Sequence, residues 1–357
     1  VNGSSPGVED GRRRHAREQG SAVAWVESPL QMLCAVEAHH SGLLGSETRI
    51  VPRAKLPALV STCRELNHLG LPVHSVIDSA QSEIPRPGRR TTWVLGDAFS
   101  GKVQLRLLTG GACRVVIVDD GLATIRLLEL LAGRPWTPLL RARDTGGGAL
   151  RGAARTALGA AAGLRLRLAA RSGRLVVFTA LPVPSELAAD VRATGAALVT
   201  HDFPWLRSQP ADRSRPSERT VVLGTSLVRN GLIHRDPYLL WLARLGSCGP
   251  VAYFPHRRED PRDLDLVREQ PGVHVYDGGA PAEITLRGLS PDQRVLSLPS
   301  TAVTSLRVLL SARGVPVETV DVPDAWWTAD AAPSLRSHLQ MFAHHDHLGN
   351  RDIGVTS

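Results

Sequence analysis

The sequence predicts two α/β domains, each built on a mainly parallel sheet. Three observations predict this class. Short apolar runs alternate with helical patterns from residue 22 to residue 320. Several of those runs end in loops rich in Ser, Gly and Asp, the punctuation of a Rossmann-like unit. One polar, Pro-containing stretch divides the pattern in two. A length of 357 residues suits two domains, each able to bury its own core.

The elements follow in order. Ala22 to Val26 is the first strand, then the loop Glu27-Ser28-Pro29 and a helix from Leu30 to His40. Arg49 to Pro52 and Val73 to Ile77 read as strands around a helix from Leu56 to Leu69. Thr92 to Gly96 is a strand before a helix from Ser100 to Thr109. Cys113 to Val118 is a buried strand ending in Asp119-Asp120-Gly121, with a helix from Leu122. Leu175 to Thr179 and Ala197 to Thr200 complete the domain, 21–206, after a lead-in over 1–20 expected to be disordered and basic. Residues 207–219 are the expected linker. The second domain, 220–325, repeats the theme. Its strands are Thr220 to Leu223, Pro250 to Phe254, Val273 to Tyr276, Val295 to Leu298 and Val317 to Val320. Helices are expected over Pro237 to Leu245 and Ala302 to Ala312, and a C-terminal helix and tail over 326–357. Two such halves joined by a linker are the GT-B plan, two Rossmann-like domains facing each other across a cleft. Its sites lie at the carboxyl ends of strands.

Composition narrows the function classes. No apolar run reaches the roughly 20 residues that span a bilayer. The lead-in lacks the apolar stretch of a secretory signal. The four cysteines (Cys34, Cys63, Cys113 and Cys248) are far apart, which fits a reducing compartment, the cytoplasm by default. A net charge of +8 favours anionic partners. Only three Tyr and five Phe occur, and basic runs are not interleaved with aromatics, so nucleic acid is disfavoured. Residues 141–174 hold eight Arg and one Asp. A solvated surface helix or insertion is the preferred reading, and peripheral contact with an acidic inner-membrane face the other.

Four motifs can carry chemistry. Asp119-Asp120-Gly121 ends a buried strand, where a carboxylate with a raised pKa suits general-base work. A helix N-cap or a Mg²⁺ site are its alternatives. His256 follows another strand and could serve a leaving phosphate, with Arg257 or Arg258 neutralising it. Ser300-Thr301 and Gly224-Thr225-Ser226 join strands to helical segments, as anion sites or as simple caps. His344-His345-Asp346-His347 is read as tail rather than metal site, and Trp326-Trp327 as core rather than sugar platform.

In this order the motifs resemble those of the bacterial GT-B sialyltransferases and polysialyltransferases. Ser28-Pro29-Leu30-Gln31 is similar to their opening motif, Asp119-Asp120-Gly121 to their acidic-Asp-Gly motif, and Val222 to Val228 to the start of their donor domain. Tyr253 to Glu259 resembles the segment with their His-Pro motif, and Ser300-Thr301 their hydroxyl pair. Here His256 is followed by Arg257 instead of Pro. The resemblance implies an inverting, metal-independent transfer of a sialic or related nonulosonic acid from a CMP-sugar to an anionic or neutral glycan, with no cofactor. It implies Asp119 as base, with Asp120 second, and His256 on the CMP phosphate. Ser300 and Thr301 would hold that phosphate and Glu283 the ribose. Ser28, Gly224, Thr225 and Arg257 complete the implied donor set. Another nucleotide-sugar transferase or epimerase, and a non-catalytic glycan- or nucleotide-binding protein, are the rivals.

Overall fold

A computed structural model describes residues 20–53, 56–81, 83–88, 90–140, 149–210, 216–276, 280–333, 335–337 and 339. The expected lead-in up to residue 19, the start of the Arg-rich stretch (141–148) and the His344 to His347 cluster lie outside them. The chain forms two compact units that divide between Ser208 and Gln209. Each is a doubly wound, Rossmann-like α/β unit, so the chain has the two units of the expected GT-B fold.

Unit 1 begins with β1 (Ala22–Val26), α1 (Pro29–His40), β2 (Thr48–Pro52), α2 (Pro57–Leu69), β3 (Ser75–Ile77) and β4 (Thr92–Leu95). It continues with α3 (Gly101–Thr109), β5 (Val115–Val118), α4 (Leu122–Ala132), α5 (Ala149–Arg171), β6 (Leu175–Thr179), α6 (Ser185–Ala193), β7 (Ala197–Thr200) and α7 (Pro204–Ser208). The sheet order is β3-β2-β1-β4-β5-β6-β7, parallel throughout. Successive strand residues point to opposite faces, yet every residue of β1, β5 and β6 is buried, so both faces are covered. This is why these strands read as unbroken apolar runs. The direction of winding reverses between β1 and β4, which opens a crevice at their carboxyl ends.

Unit 2 contains β8 (Thr220–Leu223), α8 (Arg235–Cys248), β9 (Val251–Phe254), α9 (Pro261–Arg268), β10 (Val273–Val275), α10 (Ala282–Leu286), β11 (Arg294–Ser297), α11 (Thr301–Leu310) and β12 (Val317–Thr319). Its parallel order is β10-β9-β8-β11-β12, with the reversal between β8 and β11.

Two boundaries differ from expectation. The expected linker belongs to unit 2 from Gln209 onward. Pro216 and Glu218 are buried, Gln293 donates to both of their carbonyls at 2.8 and 2.9 Å, and His274 and Tyr276 engage the Glu218 carboxylate. The expected C-terminal appendage also starts inside unit 2. Trp327 bridges to Ile233, is 6 % exposed and packs in the core, the reading preferred for the tryptophan pair.

The Arg-rich stretch is a packed helix over its C-terminal half. Ala162, Leu166 and Ala170 of α5 join the core, while residues 151–157 are exposed. Arg167 is 6 % exposed, and its guanidinium donates to the carbonyls of Leu130, Arg134 and Pro135. It therefore caps the C-terminal end of α4, where carbonyls lack helical partners and a cation suits the dipole. Among the described residues no helix is long and apolar enough to cross a membrane. Arg167→Met keeps the apolar stem and removes the cap. It is expected to lower the stability of unit 1 by about 2–4 kcal/mol, read as a lower urea midpoint of tryptophan fluorescence in the intact chain.

Candidate functional site

The sequence motifs collect at the two switch points, one in each unit. In unit 1 the loop after β1 is tied down first. Ser28 caps α1 by accepting the Gln31 N–H at 3.3 Å, and its hydroxyl donates to Asp120 Oδ1 at 3.3 Å. Gln31 reaches back to accept the Glu27 N–H at 2.6 Å. Its side chain fills the space where a Cβ on Gly96 would stand, so Gly96 after β4 is a steric requirement. The Ser-Pro-Leu-Gln sequence is thus a fastener between the loops after β1, β4 and β5. Gly121 has φ 67° and ψ −139°, a backbone open to glycine, which accounts for the third residue of Asp-Asp-Gly.

The two aspartates have different environments. Asp119 is 1 % exposed. Its carboxylate accepts the Thr179 hydroxyl and the Ala180 N–H, both at 2.6 Å, and so joins the end of β5 to the end of β6. Burial pushes its pKa up to about 6, against the pull of those hydrogen bonds. Asp120 is half-buried at the mouth of the crevice beside Ser28, and its N–H donates to Thr124 Oγ1 at 2.9 Å. The expected base, Asp119, is therefore sealed in the fold, and Asp120 is the carboxylate that reaches solvent.

Cys34 and His201 lie behind Asp119, and the ligand atoms of the three fall within 4.8 Å of one another. Such a trio could hold a zinc-class ion by composition. The histidine argues against it. The Phe203 N–H donates to His201 Nδ1 at 3.4 Å, which leaves the ring proton on Nε2. That atom is buried without a hydrogen-bond partner. Burial lowers the His201 pKa to about 3, and the ring stacks on Phe178 with centroids 4.2 Å apart. A neutral ring with its proton at Nε2 is a hydrogen-bond donor rather than a ligand there.

In unit 2 Gly224 and Thr225 follow β8, His256 follows β9, and Ser300 with Thr301 follows β11, three adjacent strands. Ser300 is the N-cap of α11 but makes no side-chain cap bond, and its hydroxyl lies 3.4 Å from that of Ser297. His256 Nδ1 accepts the Arg258 N–H at 3.1 Å, so its proton sits on Nε2. Burial, reinforced by Arg257 and Arg258, holds its pKa near 4. At neutral pH it is a hydrogen-bond donor, not a charged acid. Arg257 is exposed in the turn that follows. Glu283, expected at a ribose, is 4 % exposed and accepts the Ser305 hydroxyl at 2.5 Å, so it links α10 to α11.

Sequence reasoning passed over Thr179, His201, Tyr253 and Glu259. Glu259 closes the Tyr253 to Glu259 segment, three residues after His256, and the resemblance implies no role for it. Nothing in the local sequence signals Thr179, because its partner is 60 residues away.

No protein-family model matches the chain, and no curated protein matches it in sequence. Solved structures are similar at low identity. A UDP-glucose: anthocyanidin 3-O-glucosyltransferase in complex with UDP is 11% identical, with 94% of this chain and 96% of that chain covered and a TM-score of 0.46. TcCGT1 in complex with UDP is 12% identical, with 84% and 81% covered and a TM-score of 0.48. UGT2 of Phytolacca americana, complexed with UDP-2fluoro-glucose and pterostilbene, is 11% identical, with 90% and 83% covered and a TM-score of 0.47.

The raised pKa of Asp119 has a consequence for stability. An unfolded aspartate titrates near about 4. The folded state keeps its proton to about pH 6. The contribution of this proton is full below about pH 4 and is lost as pH rises through 6. Relative to Asp119→Asn, the unmodified protein is expected to lose roughly 3 kcal/mol of stability between about pH 3 and pH 8. Paired denaturation curves across that range measure it, and parallel curves would show that Asp119 titrates normally.

Proposed function

We propose that this chain is a glycosyltransferase that moves a sugar from a nucleotide donor, and that the donor is a CMP-linked sialic or related nonulosonic acid. The observation that carries the reading is the chemistry that each switch point offers by itself. Unit 1 presents an accessible carboxylate, Asp120, held by Ser28. Unit 2 presents the Nε2–H of His256 after β9 and the N-terminal end of the ten-residue helix α11 after β11, the two strands that flank β8.

The chemistry follows from these groups. Asp120 takes the proton of an acceptor hydroxyl. The freed oxygen bonds to the anomeric carbon while the bond from that carbon to the CMP phosphate oxygen breaks. The electron pair leaves with the phosphate. His256 Nε2–H, Ser300 and the first N–H groups of α11 would receive the added charge. Attack opposite the leaving phosphate inverts the anomeric centre. Asp119 does not touch the acceptor in this scheme and instead fixes the loop that carries Asp120. The choice of a CMP-linked donor is supported by the resemblance of the Ser-Pro-Leu-Gln, Asp-Asp-Gly, His256 and Ser300-Thr301 motifs, in that order, to those of the bacterial GT-B sialyltransferases. A glycan is the proposed acceptor.

Thermal unfolding with CMP, UDP, GDP or NAD, without added metal, tests the donor. CMP is expected to raise the midpoint, by an amount equivalent to about 2.7 kcal/mol at a hundred times its dissociation constant. Ser300→Ala should weaken that shift. A response to UDP or GDP with none to CMP would remove the CMP assignment and keep a nucleotide-sugar transferase. Asp120→Asn should keep the CMP response and lower transfer at least about 100-fold. Equal activity of that variant would rule Asp120 out as the base.

A further inference from the structure

Glu259 has no part in the proposed transfer, yet it lies among the motif residues of unit 2, in contact with His256 and Tyr253. The residue is half-buried, and its carboxylate reaches three elements at once. Oε1 accepts the N–H of His256 at 2.9 Å. The backbone of Thr225, on the loop after β8, also donates to the carboxylate. Oε2 accepts the hydroxyl of Tyr253 at 3.0 Å, and that hydroxyl lies 3.0 Å from the hydroxyl of Tyr238 on α8. The turn is closed from the other side by Glu259 N–H to His256 O at 2.9 Å and by Arg258 N–H to His256 Nδ1. Room for the carboxylate exists because residue 224 is glycine. A Cβ there would overlap Glu259 Oε1 and lie 2.7 Å from the His256 nitrogen.

We propose that Glu259 is a positioning residue, a latch that holds the loop after β8 and the loop after β9 in one fixed arrangement and so aims His256 Nε2–H at the donor phosphate. The inference rests on the nucleotide-donor reading for the identity of the ligand; the latch itself is a property of the unliganded chain. Its operation depends on hydrogen-bond acceptance. The two backbone N–H donors, of His256 and Thr225, can only donate, so an oxygen must face them. The Tyr253 hydroxyl can turn. When it donates to Tyr238 instead, its oxygen can accept from whatever occupies the Oε2 position. A proton on Oε2, or the NH₂ of a glutamine, therefore fits without disturbing the two loops. Burial raises the pKa of Glu259 to about 7, so this accommodation matters near neutrality. The charged groups around His256 and Glu259 are Arg257, Arg258 and Asp263.

The test compares Glu259→Gln with Glu259→Leu in the full chain. One readout is the titration of His256 by NMR of histidine-labelled protein, its signal assigned by its loss in His256→Gln. The other is CMP affinity by calorimetry. In the unmodified protein and in Glu259→Gln, His256 should titrate near the same low value, and CMP affinity should agree within about threefold. In Glu259→Leu the turn loses its acceptor. His256 should then titrate closer to an exposed histidine, near about 6.5, and CMP affinity should fall at least about tenfold. A folded Glu259→Leu variant with unchanged His256 titration and CMP affinity overturns the latch. So does a Glu259→Gln variant that loses the low His256 titration, an outcome readable even if the leucine variant fails to fold. If the unmodified protein binds no CMP, the donor reading fails, and the His256 titrations still decide the latch.

Discussion

Where a parallel strand ends, the backbone N–H groups of the next residues leave the ladder, and in a dry interior each must find an acceptor. Buried and half-buried carboxylates supply those acceptors here, and the candidate site residues within each unit depend on them. Asp119 takes the Ala180 N–H and so binds the end of β5 to the end of β6. Glu259 takes the His256 N–H and binds the loop after β9 to that after β8. Glu37, buried on α1, takes the N–H groups of Trp205 and Leu206 at 3.0 and 2.9 Å, at the start of the short helix that closes unit 1. In each case one side chain ties two segments together, and beside Asp119 and Glu259 a proposed functional group, Asp120 or His256, lies within three residues.

Using carboxylates in this way has an electrostatic cost. Desolvation disfavours the ionised form, and burial lifts Asp119 to about 6 and both Glu37 and Glu259 to about 7. The buried histidines move the other way, His201 to about 3 and His256 to about 4. The two groups oppose each other thermodynamically. The carboxylates hold protons in the folded state that the unfolded chain releases between about pH 4 and 7, so their contribution falls as pH rises. The histidines lack protons that the unfolded chain binds below about 6.5, so theirs grows as pH rises through that range. The interior therefore carries carboxylates near their titration points beside neutral imidazoles.

The fold was legible because covered parallel strands are written as continuous apolar runs. Val115–Val118 and Leu175–Thr179 need no context to be read, and most strand limits agree with expectation to within two residues. The limits of the units were harder. Pro216 and Glu218 look like linker, since their burial depends on Gln293, His274 and Tyr276, more than fifty residues away. The half-sites were legible as motifs but not as roles. Asp119 and Asp120 are neighbours in sequence, and only the Thr179 and Ala180 contacts separate the sealed acid from the accessible one. The resemblance implied Glu283 at a ribose, while in the fold its carboxylate is covered and bonded to Ser305.

The same logic limits what net charge says about partners. A charge of +8 suggests a surface for anions, yet some of the arginines serve the interior. Arg167 closes carbonyls at the end of α4, Arg287 donates to the carbonyls of Ile284 and Pro210, and Arg307 to that of Val317. A planar guanidinium with five donors suits carbonyls that converge from different segments, where a lysine would offer a single charged point. Cations bind free carbonyls and carboxylates bind free N–H groups, so oppositely charged side chains need not meet to be stabilised. The chain's basicity is thus partly structural, and the case for an anionic substrate stands on His256, Ser300 and the start of α11 rather than on composition.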